Sequence, residues 1–322
     1  MGSNPFLAGD EPRREHWVWV RLTGMARLAV ALTVLGALPG IVDWVGAAPL
    51  SPVDTASAAE LVRQAVANQI AAAEDSSVKH QFRALRKNGR GSQTKLYVET
   101  RDAIAGMVIA YDDRPVTDAE LAGEEAHLQG LLDHPEQLRR KHAQEKEDAD
   151  RTLRILKAIP DAYLFEYDGT ETGTADYGKA GDSLVRLKFR PNPNYNPPSR
   201  VEQAMGAAEG TVLIDAAHQR LARIDGTLFK DATYGWGFLG RVDKGGHFVV
   251  EQADLGDGSW GITRMDLKFN GKILVVRNFG IISNEVFSDF HRVSPDLTFA
   301  QGVKLLKEEH TKIAQNGGVR CR

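Results

Sequence analysis

Hydrophobic and polar positions alternate in three ways along this chain, and each pattern predicts a different element. An apolar run from Leu28 to Leu38 follows Arg27 and stops at Pro39-Gly40. Val62, Val66, Gln69 and Ile70 then recur at helical spacing, fading after Ala73. Ser57 and Glu60 have the spacing of a capping box and predict that this helix opens there. Strand-like runs follow at Val78–Lys87, Thr94–Thr100 and Ile104–Tyr111, with Asn88-Gly89 as a hairpin turn signal. Thr117 and Glu120 make a second capping box. From there to Ile159 the chain reads as two charged helices broken at Asp133-His134-Pro135. Leu121, Leu128 and Leu132 stripe the first helix; Leu138, His142, Ala149, Leu153 and Leu156 stripe the second. Stripes this thin predict a pair lying on the surface of a sheet.

From Tyr163 onward the pattern is strand and turn. Val185, Leu187 and Phe189 alternate with Arg186, Lys188 and Arg190, the signature of a half-buried strand. Pro191 to Arg200 has too many prolines for a central strand and reads as a loop. Val212–Asp215 and Leu221–Phe229 predict a hairpin around Ala216-Ala217-His218-Gln219. His247–Asp254, Trp260–Phe269 and Ile273–Phe279 predict a meander, punctuated at Gly245-Gly246, Asp257-Gly258 and Asn270-Gly271. Phe287–Val293 reads as a last strand, and a short helix from Thr298 to Glu308 precedes a polar tail.

Composition narrows the picture. Hydrophobic residues make up 42% of the 322 and charged residues 26%, enough to bury a real core. A net charge of -3 gives no electrostatic case for a nucleic-acid partner. The single cysteine, Cys321, permits neither an internal disulfide nor a C-x-x-C pair. Arg27, the apolar run and the small residues Val45-Gly46-Ala47-Ala48 together read as a signal peptide. Translation is expected to start at Met25, with residues 1–24 as an extension, and the mature chain near Ala48 or Pro49. The run is short for a bilayer span and Asp43 interrupts its continuation; the alternative is an N-terminal inner-membrane anchor. The expected location is therefore periplasmic or secreted. The expected organisation is an extension and signal over 1–48, a single β-rich domain over 49–310 with a helical insert at 117–159, and a polar tail over 311–322.

Candidate chemistry is sparse. Glu124-x-x-His127 is half of a di-iron motif whose second copy is missing. His127 and His134 lie two turns apart but lack a third ligand at sensible spacing for zinc. Asp254-x-x-Asp257-Gly258 lacks the closing acid of a calcium loop and reads as a turn. Gly169, Gly173, Gly178 and Gly181 match neither phosphate-binding spacing and read as a long hairpin loop. There is no G-x-S-x-G. The expectation is no enzyme: no catalytic residue, no metal and no cofactor. The distinctive stretch is Tyr234-Gly235-Trp236-Gly237-Phe238-Leu239-Gly240, where rings alternate with glycine. Phe248, Val250, Trp260 and Ile262 could continue one apolar wall. Trp236, Phe238, Phe248, Val250 and Trp260 are the candidate ligand-binding residues, in either a filled core or an open cavity.

The signal, the capped helix, and the meander with helices inserted between early strands resemble the lipoprotein-carrier fold of LolA and LolB, shared by outer-membrane lipoprotein-sorting proteins and uncharacterised exported bacterial proteins. The likeness is strongest from Gly210 to Phe290, through VLIDAAHQRLARIDG, GWGFLGRVDKGGHFVVEQADLGDGSW and a strand ending in Asp289-Phe290. The helical insert is longer than that fold leads one to expect, and there is no lipobox cysteine for an anchored LolB-like form. The resemblance implies an α+β fold: a strongly curved antiparallel sheet, a half-open barrel, with helices packed on or over its concave face. It also implies a carrier or binding protein for a lipid, an acylated lipoprotein or another apolar ligand, in transient contact with membranes. The alternative is a structural or interaction module with a protein partner in the envelope.

Overall fold

The computed structural model describes residues 52–198, 200–234, 240–273 and 277–316. The expected signal segment, Trp236, Phe238 and Cys321 lie outside them. Among the described residues the chain is an α+β protein with a large antiparallel sheet, not closed into a barrel, and five helices. Helix α1 (Pro52–Glu74) leads into the hairpin β1 (Lys79–Asn88) and β2 (Gly91–Val98), then β3 (Ala105–Tyr111) and β4 (Arg114–Pro115). Helices α2 (Asp118–Asp133) and α3 (Pro135–Ala162) follow, then β5 (Tyr163–Thr172), β6 (Ser183–Pro191) and the short α4 (Arg200–Met205). Strands β7 (Ala208–Asp215), β8 (Arg220–Leu228), β9 (Ala232–Tyr234), β10 (Gly240–Val242), β11 (His247–Asp254), β12 (Trp260–Ile273) and β13 (Arg277–Val293) complete the sheet, and α5 (Phe299–Gln315) ends the fold. The strand order is β4-β3-β2-β1-β13-β12-β11-β8-β7-β6-β5, with the β9–β10 hairpin branching from β12.

Local chemistry explains most boundaries. Thr117 and Glu120 form the full reciprocal capping box at α2, and His134 ends α2 and opens α3 with Pro135 at the first position. Thr298 and Gln301 repeat the capping box at α5. Three expectations shift. Helix α1 already includes Pro52, so Ser57 lies inside it rather than at its cap; proline suits a first helical turn. Helix α5 runs on to Gln315, because Ile313 packs against the cluster around Phe299 and Leu306. Asn270-Gly271 is not a turn but the interior of β12, which together with β13 is far longer than its hydrophobic segments suggested. Gly271 is there for close approach: a Cβ would stand 2.1 Å from the Arg241 carbonyl oxygen and 2.6 Å from the Phe279 ring.

Apolar burial falls into separate clusters on the two faces of the sheet. Val62 and Val66 of α1, Ile155 and Leu156 of α3, and Leu187, Val212, Ile214 and Leu221 of β6–β8 form one. Phe82, Val250, Met265, Leu267, Phe269 and Phe287 form a second. Leu96, Val98, Met107 and Ile109, covered by Leu128 of α2 and Phe299 and Leu306 of α5, form a third. Leu96 and Tyr97 are adjacent on β2 yet fall in different clusters, as period-two alternation requires. No described helix is long and apolar enough to cross a membrane.

Candidate functional site

The structure separates the predicted wall. Phe248 and Val250 share a face of β11 and belong to the second cluster. Phe248 also touches the first cluster, stacks on Phe269 at 6.4 Å between centroids, and packs where a Cβ at Gly226 would meet its ring at 2.3 Å. Trp260 sits apart, against Leu184, Leu213, Ala222 and Tyr177. Leu184 and Leu213 alternate with Val185 and Val212 along β6 and β7, so this patch occupies the face opposite the first cluster. The residues joining β9 to β10 carry Trp236 and Phe238, and the hairpin's stems place Ala232 and Val242 in the same cluster as Val250.

The glycine-bearing segment 173–182 joins β5 to β6, as a hairpin loop should, and folds back over Trp260's patch. Gly178 N–H donates to the Gln252 carbonyl at 2.7 Å, Asp254 N–H donates to the Gly178 carbonyl at 3.0 Å, and Gly178 bridges Ala253. Positive φ at Gly178 and Gly181 lets the loop double back. The phenol of Tyr177 donates to Glu171 at 2.6 Å, which pushes its pKa up.

Where this loop meets the β7–β8 turn, three side chains converge: Asp182, Asp215 and His218, with ligand-type atoms all within 4.8 Å of one another. Asp215 Oδ1 accepts from both the backbone N–H and Nδ1 of His218 at 3.0 Å, and Nδ1 lies 3.3 Å from Asp182 Oδ2. Asp215 is fully buried, and its Oδ2 has no hydrogen-bond partner. The His218 ring stands 5.9 Å from Trp260, and the Arg220 guanidinium lies over the same indole at 5.7 Å. Burial lowers the pKa of Arg220. Sequence reasoning read His218 as a turn residue and Asp215 as a strand end; only the register of β6 with β7 brings Asp182 alongside.

A second cluster looks more catalytic than it is. His80 Nε2 is 3.0 Å from Asp257 Oδ2 and 3.1 Å from Ser259 Oγ, and Ser259 Oγ also donates to Asp257. In a serine–histidine–aspartate relay the acid and the nucleophile occupy opposite ring nitrogens. Here both meet the same one, so the arrangement latches the β11–β12 turn onto β1. Burial raises the Asp257 pKa, but hydrogen bonds from Ser259 and His80 outweigh it and hold the carboxyl at about 2. The other sequence candidates have structural work. Glu124 accepts from the Val108 N–H at 2.9 Å, and Asp254 and Asp257 accept from turn amides at Gly256 and Ser259. His134 pairs with Glu136 at 3.7 Å, away from any such cluster.

An open groove of about 360 Å³ runs beside β5, the edge strand. Arg63 of α1, Asp161 at the end of α3, and Asn192, Asn194 and Tyr195 give it a polar rim, and Tyr163 and Phe165 line it too. Burial pushes the Tyr163 phenol far up, so it stays neutral.

No protein-family model and no curated protein matches this chain. Among solved structures it is similar to a DUF1329 family protein from Desulfovibrio piger, at 7% identity and a TM-score of 0.27 over 74% of this chain and 93% of that one. It is also similar to a chain of the Pseudomonas aeruginosa MucA/MucB complex, at 8% identity and 0.21 over 78% and 97%. A chain of MucB in complex with MucA(peri) gives 10% and 0.20 over 74% and 96%. Likenesses this low carry no argument about what the chain binds.

Proposed function

We propose that this chain is an exported envelope protein that acts by binding, as an interaction module, with a polypeptide segment held in the groove beside β5. The groove is the observation that carries the reading. Its volume lies within the range of ligand sites, and it combines ring faces with convergent amide, guanidinium and carboxylate groups. Its lining includes the first residues of β5, a strand at one edge of the sheet. A photo-crosslinking residue at Tyr195, in the native host, tests it. A discrete protein adduct is expected there and not at the exposed Lys304, and Arg63→Glu should remove it. The same adducts at both positions would overturn the reading.

A second reading, a carrier for a lipid, an acylated lipoprotein or another apolar ligand, is favoured by the position of Phe248. It bridges two apolar clusters, and the hairpin bearing Trp236 and Phe238 is rooted in one of them. In that reading Trp236, Phe238, Phe248 and Val250 line the ligand, with Trp260 on a separate patch.

A further inference from the structure

We propose that Asp182, Asp215 and His218 form a zinc-type divalent-metal site that pins the loop 173–182 onto the β7–β8 turn. Two carboxylates and an imidazole are a donor set that zinc accepts, with water completing a tetrahedron. At zinc bond lengths of about 2.0–2.1 Å, neighbouring ligand atoms in a tetrahedron stand about 3.3 Å apart. His218 Nδ1 stands 3.0 Å from Asp215 Oδ1 and 3.3 Å from Asp182 Oδ2, with all three groups' ligand atoms within 4.8 Å of one another, so an ion taking the place of the Nδ1 proton would find them gathered.

The independent observation is the orphaned oxygen. Asp215 has no exposed surface and its Oδ2 has no partner, an expensive state for a carboxylate. The arginine opposite it in the ladder does not relieve it. Arg220, which pairs with Asp215 across the β7–β8 ladder, sends its guanidinium over Trp260, and its Nε is itself buried without an acceptor. A divalent ion held through Oδ2 would satisfy that oxygen and neutralise both carboxylates at once. It would also tie together more firmly two segments already joined by strand pairing and the His218–Asp182 contact: the base of the loop and the β7–β8 turn. The role is a clamp over Leu184, Leu213 and Trp260, independent of the groove.

The test uses the untagged mature protein, stripped with chelator and titrated with zinc by calorimetry. One ion per chain is expected. Asp182→Asn and His218→Ala each leave a partly exposed position and should weaken binding at least tenfold while circular dichroism stays unchanged. Hydrogen exchange on the wild type, which needs no variant to fold, should slow across residues 174–182 when zinc is added. No zinc binding in the micromolar range, binding that both variants retain, preference for calcium over zinc, or unchanged exchange in that loop would each overturn the proposal.

Discussion

At the scale of single residues, the sequence's ambiguity lies in letters that serve two purposes. Asn270-Gly271 has the signature of a turn, but Gly271 lies in β12 because Arg241 and the Phe279 ring come too close for a side chain. Asp257 was legible as a turn residue, whereas its partner His80, on a strand at the other end of the chain, was not. The consequence is measurable. The Asp257 pKa falls from 3.8 to about 2 on folding, so the stabilisation it supplies is full above about pH 4 and is lost as pH falls through 2. For a side chain still 29% exposed this is on the order of 1–2 kcal/mol, lowered by solvent screening. Asp257→Asn should therefore lower the unfolding free energy from urea titration at pH 7 by that order, and the gap from wild type should close between pH 4 and 2. A gap independent of pH would mean the latch does not depend on charge.

Among elements, capping and alternation were readable because both are local. Thr117–Glu120 and His134–Pro135 set α2 and α3 where the sequence placed them. Burial along those helices was less readable, because it depends on what lies beneath. The thin stripe suggested that the pair buries little, yet Leu128 and Leu131 of α2 and Ile155, Leu156, Ala158 and Ala162 of α3 are buried. The exposed part is the N-terminal half of α3, where Glu136, Gln137, Arg139, Arg140, His142, Ala143 and Gln144 face solvent. Hydrogen exchange should therefore be fastest at residues 135–147 and slow towards the α3 C-terminus, approaching the protection of β12. Uniformly fast exchange over both helices would show that they detach as a unit.

For the whole molecule, the sequence read the sheet correctly as antiparallel and β-rich, since each strand's alternation is written in its own residues. Which strands neighbour each other is written only in the pairing, and so the convergence of Asp182, Asp215 and His218 was invisible. The choice between module and carrier rests at the same scale. Trp236→Asp should leave the fold intact and abolish binding of a fluorescent fatty acid if the chain carries apolar ligands. It should unfold the protein if the indole is packed inside, because an unpaired buried charge costs several kcal/mol. A folded variant that binds the probe as well as wild type would remove Trp236 from any binding face. One strand also governs when the molecule can assemble. β13 pairs with β12 on one side and β1 on the other, so Lys79 waits for Val293, from opposite ends of the described chain. Until that strand has emerged, the β1–β2–β3 segment has no edge to join, and its pairing carries a large loop-closure cost. A chain built this way stays unfinished until its last third is available.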